Sequence, residues 1–257
     1  MAPLAKSGAI GYNTMDKKRT ANSMFQGFTK ETSEFLWELS FNNERPWFQA
    51  HKEQFERCLN EPFKALAQSC KETMEQRFPG QSWRVHCSRI YRDARRLFGR
   101  GPYKDHLWFT LWDAPAGKDG PAFWFEIGPA TYGWGMGWFE AAPAEMELFR
   151  RSIDANPARF ERLAGDIAAS RQKYRVIGPR YARPKGSYPE PVRGWYESKW
   201  VGVETVRDLE GDVFTPELPQ LLCDCYAKLT PMYDYLAQIH SAARKDGLPA
   251  AEEKRHG

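Results

Sequence analysis

No run of apolar residues approaches the roughly 20 needed to cross a bilayer, so no membrane-spanning segment is expected. The five cysteines (Cys58, Cys70, Cys87, Cys223, Cys225) are odd in number and scattered. They match neither a disulfide framework nor the paired spacing of a zinc site, and they read as free thiols of a reducing, cytoplasmic compartment. No phosphate-binding loop is written in the glycines. Gly133-Trp134-Gly135-Met136-Gly137-Trp138 sets one at every second position and opens no evident helix, so it is not a dinucleotide fingerprint. Hydrolase triads, clustered metal ligands and internal repeats are also absent as motifs. No cofactor is evident and no metal site is expected.

What the chain does have is aromatic surface and unevenly placed charge. Aromatic residues make up 14% of 257, with 10 Trp. Such side chains suit a large core and also stacking against ligands. The net charge is only +4. Yet Arg84, Arg89, Arg92, Arg95, Arg96, Arg100 and Lys104 face Asp93 alone in one window, and a second basic window runs from Arg171 to Lys199. Concentrated positive charge attracts anions, small or polymeric.

The fold class expected is α+β: N-terminal helices, a central, mostly antiparallel sheet, then C-terminal helices, in one domain over 24–240. Residues 1–23 read as a flexible leader, with Met24 a candidate start, and 241–257 as a flexible tail. Thr29 is placed to cap a helix through about Phe41. A second helix is expected after Asn43 to about Leu59, and a third capped by Asn60 with Pro62 in its first turn. Trp83 to Tyr91 alternates as a strand. His106–Trp112 and Phe123–Ile127 are apolar on both faces, as central strands would be. Helix returns from Pro143 to about Ser170, divided at Asn156-Pro157. The stretch 171–199 is irregular, and a last helical region from about Pro216 is interrupted by Pro219 and Pro231.

On the strand reading, Arg89 shares the buried face with Trp83, Val85, Cys87 and Tyr91. A guanidinium there requires a partner, either Glu126 on the neighbouring strand or a ligand anion, and a partly buried Arg89–Glu126 pair is the expectation. The run from Arg89 to His106 supplies Arg89, Arg92, Arg95 and Lys104 to neutralise an anion. Tyr103, Trp47 and Trp138 would shape the walls, and Asn42 and Asn43 would offer amides unless they serve only to end one helix and cap the next. Asp93 and His106 form the one credible acid–base pair, on which an enzymatic reading depends.

Phe35-Leu36-x-x-Leu39, Asn42-Asn43-x-x-x-Trp47-Phe48, Lys52-x-x-Phe55-Glu56, Arg89-Ile90-x-Arg92-Asp93-x-Arg95, Pro102-Tyr103-Lys104 and Gly135-x-Gly137-Trp138 occur in that order. Together they resemble a widespread family, domain of unknown function 2461, over roughly Phe25 to Leu236. The chain departs from that pattern at Arg96 and Leu97, where the family often has Phe-Ser. It has Arg100 where the family has a Lys ahead of Pro-Tyr-Lys, which keeps the charge. The resemblance implies a single domain and carries no catalytic residue.

The function expected is a cytoplasmic protein with a pocket for a small anionic ligand, phosphorylated compounds among the candidates; whether it is also an enzyme is left open and would depend on Asp93 and His106. The alternative is a non-catalytic RNA- or protein-binding module using 171–199, where Tyr174, Tyr181, Tyr188 and Tyr196 interleave with basic residues. No membrane partner is expected.

Overall fold

Thr29 stands in extended conformation ahead of α1 (Lys30–Phe41), and its backbone N–H donates to the Thr32 hydroxyl at 3.2 Å. Phe35, Leu36 and Leu39 then form the buried stripe that the spacing predicts. The computed structural model describes residues 24–247 apart from Ala94, Arg96 and Phe98. The expected leader and residues 248–257 lie outside them.

The expected second helix is broken into α2 (Arg45–Ala50) and α3 (Lys52–Phe55). A π turn over Glu56–Asn60 then joins α3 to α4 (Glu61–Arg77), and Asn60 is helical rather than a cap. Pro62 explains the widened turn. It has no N–H for the Cys58 carbonyl and its ring crowds that group. The buried Thr32 hydroxyl donates to the Cys58 carbonyl instead, at 2.7 Å.

Among the described residues six strands follow: β1 (Trp83–Cys87), β2 (Leu107–Asp113), β3 (Ala122–Ile127), β4 (Thr131–Trp138), β5 (Arg175–Ile177) and β6 (Val201–Asp208). They form one sheet in the order β1-β2-β3-β4-β6-β5, antiparallel at every pairing. Between β4 and β5 lie α5 (Pro143–Ala155) and α6 (Pro157–Ala168), and α7 (Val192–Tyr196) precedes β6. Asn156 divides α5 from α6 as expected, its side chain accepting from the Arg159 N–H. The segment 171–199 is less irregular than its composition suggests, since it holds β5 and α7.

Finally α8 (Leu218–Lys245) runs unbroken through Pro231. One lost backbone bond is outweighed by the buried flank of Tyr226, Leu229, Tyr233 and Leu236. The helix also carries the chain five residues into the expected tail, because Ala243 is still fully buried. The architecture is a single α+β domain with N-terminal helices, an antiparallel sheet and C-terminal helices.

One face of the sheet meets α4 and α8. Phe63 packs on Phe109 and Phe125, and Phe123 stacks on Tyr226 and Tyr233 at 4.9 Å each. Trp134 and Trp138 belong to this core. The opposite face is only partly covered. It carries exposed Arg84, His86 and Glu126 and the half-buried Trp108, Trp112 and Trp124. The alternating glycines of β4 lie on that face. A Cβ at Gly135 would collide with the Val203 carbonyl of β6, so the backbones approach as the glycine spacing implies. Among the described residues no helix is long and apolar enough to cross a membrane.

Candidate anion-binding cleft

The strand expected from Trp83 to Tyr91 stops at Cys87. Ser88 donates its N–H to the Trp108 carbonyl at 2.8 Å, and its hydroxyl accepts from the Trp108 N–H at 3.0 Å. A side chain thus takes the place of the next ladder carbonyl, and the alternation slips by one residue. Ser88 and Ile90 turn inward, while Arg89 and Tyr91 turn outward. Arg89 is therefore not buried and needs no internal counter-charge. The expected pair with Glu126 does not form: Glu126's charged neighbours are His106, Glu204 and Asp105.

Beyond Ser88 the two arms stay paired. Arg92 donates to the Pro102 carbonyl at 2.8 Å, Lys104 to the Ile90 carbonyl at 2.7 Å, and Tyr91 bridges Tyr103. Asn43 clamps the second arm. Its amide donates to the Tyr103 carbonyl and accepts from the Tyr103 N–H, both at 2.9 Å. Gly101 is required beside this clamp, because a Cβ there would strike the Asn43 side chain. The Tyr103 ring, 1% exposed, stacks on Phe48 at 4.1 Å.

The hairpin-like arms open a cleft of about 710 Å³ at the β1 end of the partly covered face. Among the described residues, Arg89, Arg92, Arg95, Arg100 and Lys104 line it with one carboxylate, Asp93. His86, Tyr91 and Trp108 supply rings, and Ser88 borders it. Asp93 holds Arg95 through two side-chain bonds of 3.1 and 2.8 Å. Arg92 spends its Nε on the Tyr103 carbonyl at 2.7 Å and reaches Asp105 at 3.4 Å. The Arg89 and Arg100 side chains form no ion pair with a described residue. Lys104 donates to the Arg89 carbonyl at 2.8 Å and lies 5.8 Å from the Trp108 ring. Burial pushes its ammonium below the ordinary lysine value, and the positive charges of Arg92 and Arg89 push it further.

Five of the residues singled out from sequence thus meet: Arg89, Arg92, Arg95 and Lys104, with Asp93. The others do not line the cleft. Asn43 and Tyr103 lie behind it as its support. Asn42 closes α1, its backbone and side-chain N–H groups both donating to the Glu38 carbonyl. Trp47 stacks on His51 at 4.1 Å. Trp138 is fully buried and donates to the Asp119 carbonyl at 3.0 Å.

His106 pairs with its neighbour Asp105 at 2.9 Å rather than with Asp93, so the expected acid–base pair is not assembled. Partial burial works to raise the Asp105 carboxyl, but the His106 bond, with help from Arg92, holds it below the usual value. Glu126 lies directly across from Trp108. Loss of part of its water raises its carboxyl, and His106 opposes the rise.

Sequence reasoning missed His86, Ser88, Tyr91, Arg100 and Trp108 as lining residues. Tyr91 was expected on the buried face and Trp108 in a strand apolar on both faces, and which face stays open is decided by where the helices pack.

A second, smaller cleft of about 350 Å³ involves Arg180, Tyr181, Tyr188, Arg193 and Glu197. Much of it is already committed. The Glu197 carboxylate accepts from the Lys185 and Gly186 N–H groups. Lys185, Lys199 and Arg150 crowd the Tyr181 ring. The Tyr188 and Tyr196 hydroxyls both donate to Asp154.

Residues 31–235 match the family described as a conserved hypothetical protein, DUF2461. The chain belongs to that family. The matched span of this DUF2461 member includes the Asn43 clamp, all of the first cleft and all six strands. No curated protein matches the chain.

Proposed function

We propose that the first cleft binds a small anionic ligand, phosphate or carboxylate in character, and that the protein works in the cytoplasm. The observation that carries this reading is the unbalanced charge. Two guanidiniums with no ion-pair partner among the described residues share one cleft with an ammonium whose pKa burial and its cationic neighbours lower. An anion entering there removes the mutual repulsion and fills donor forks shaped for oxyanions. The five free cysteines suit a reducing compartment. Binding, rather than turnover, is what this arrangement supports. The RNA-binding alternative is favoured less, because Lys185 and Lys199 already crowd the Tyr181 ring and the Tyr188 and Tyr196 hydroxyls are tied to Asp154.

The test is thermal unfolding with inorganic phosphate, pyrophosphate and citrate, in wild type and in Arg89→Gln and Arg100→Gln. Neither of those side chains forms an ion pair with a described residue. An anion at 100 times its Kd stabilises by about 2.7 kcal/mol, which at roughly 2–4 °C per kcal/mol is a shift of several degrees. Loss of that shift in both variants, with unchanged unliganded midpoints, is the expected result. No shift with any anion overturns the reading.

A further inference from the structure

We infer that the ligand is a mononucleotide, a flat heterocycle joined to a phosphate, rather than a bare oxyanion. This rests on the anion-binding reading of the same cleft. Bare phosphate needs only donors, yet three rings share the cleft with the cations. His86 and Trp108 lie with centroids 5.6 Å apart on adjacent strands of the open sheet face. Tyr91 leaves half of its surface exposed on the arm that carries Arg89 and Arg92.

A ring that is half wet in a cleft loses its remaining water contact when a second ring stacks on it. Lys104 lies 5.8 Å from the Trp108 ring centroid, so a cation and an aromatic face already meet in the cleft. The cleft volume of about 710 Å³ falls within the range of sites that enclose whole small molecules. Among the described lining residues five cations face one carboxylate, which calls for a ligand with more than one negative charge, and guanidinium forks match phosphate oxygens. A polyanionic end and a planar end on one small molecule is the chemistry of a nucleotide. The phosphate would lie toward Arg89, Arg100 and Lys104, and the base over Trp108 and Tyr91.

The experiment compares four probes by calorimetry and by quenching of tryptophan fluorescence: inorganic phosphate, ribose 5-phosphate, adenosine 5′-monophosphate and adenosine. A short oligoadenylate is the fifth. In wild type the nucleotide should bind about tenfold tighter than ribose 5-phosphate, within what stacking of one base supplies. Trp108→Leu should erase that preference and leave ribose 5-phosphate binding intact. Tyr91→Leu, at a half-exposed ring, should narrow the preference without disturbing the fold, and Arg89→Gln should weaken both phosphorylated probes together.

Equal affinity for ribose 5-phosphate and the nucleotide in wild type overturns the inference and leaves anion binding standing. So does a preference that survives both ring variants. Failure of every phosphorylated probe overturns the inference, and if citrate fails with them the anion-binding reading itself is overturned. An oligoadenylate that binds far tighter than the mononucleotide overturns the inference in favour of a nucleic-acid surface.

Discussion

Asn43 forms two hydrogen bonds to the backbone of Tyr103, so one side-chain amide ties the helical N-terminal region to the arm that carries Lys104. Truncation strands a partly buried carbonyl and N–H, each costing about 1–3 kcal/mol if no water replaces the bond. Asn43→Ala is therefore expected to destabilise the fold by about 2 kcal/mol in urea unfolding and to weaken anion binding although it touches no ligand. Asn43→Asp keeps the acceptor and loses the donor, and should fall between.

Lys104 makes a prediction about pH. Its folded-state pKa lies below the ordinary 10.5, so folding disfavours its protonated form. The penalty is full at neutral pH and is relieved as pH rises through the lowered value toward 10.5. An anion reverses the sign by favouring the ammonium. Binding on the alkaline side should thus take up a proton and weaken as pH rises further. Calorimetry in two buffers of different ionisation enthalpy reads this directly, and Lys104→Met should abolish the uptake.

At the scale of elements, the joint between β4 and β6 depends on glycine. A methyl group at Gly135 meets the Val203 carbonyl, a backbone group with no rotamer to change. Gly135→Ala should cost about 3 kcal/mol or more, at the upper end of overpacking, because two strands must separate. Gly165 has nothing within reach of an added methyl group, so Gly165→Ala serves as the control that should not destabilise.

Much of the element pattern was legible in the sequence, since α1, the central strands and the Asn156 division follow from apolar period and capping. What was not legible depends on partners distant in the chain. Asn60 fails as a cap because Thr32, 26 residues before Cys58, takes up the carbonyl that Pro62 leaves free. Arg89 faces outward because Ser88 answers both backbone groups of Trp108. The cations of the cleft could be read as a run of charge. The rings could not, because Trp108 reaches Lys104 and His86 only through strand register.

At the scale of the molecule, the two basic windows come to lie at opposite ends of one sheet. The first cleft sits at β1 and β2, and the second lies beside β5, where Arg180 bridges Ser198. Five strand spacings of about 4.8 Å separate them by roughly 24 Å. At physiological ionic strength charges act over about 8 Å, so the windows are electrically independent. At about 0.01 M salt the range grows to about 30 Å, and each cleft then feels the other.

The double variant Arg180→Gln, Arg193→Gln should consequently leave phosphate affinity at the first cleft within about twofold at 0.15 M salt. At 0.01 M it should weaken binding and slow association. Arg89→Gln should weaken binding at both ionic strengths, because a contact within the cleft is screened far less than a distant field. Phosphate titrations of the three proteins at the two salts separate these cases. An effect of the double variant that persists at 0.15 M would mean that the second cleft communicates with the first through structure rather than through charge.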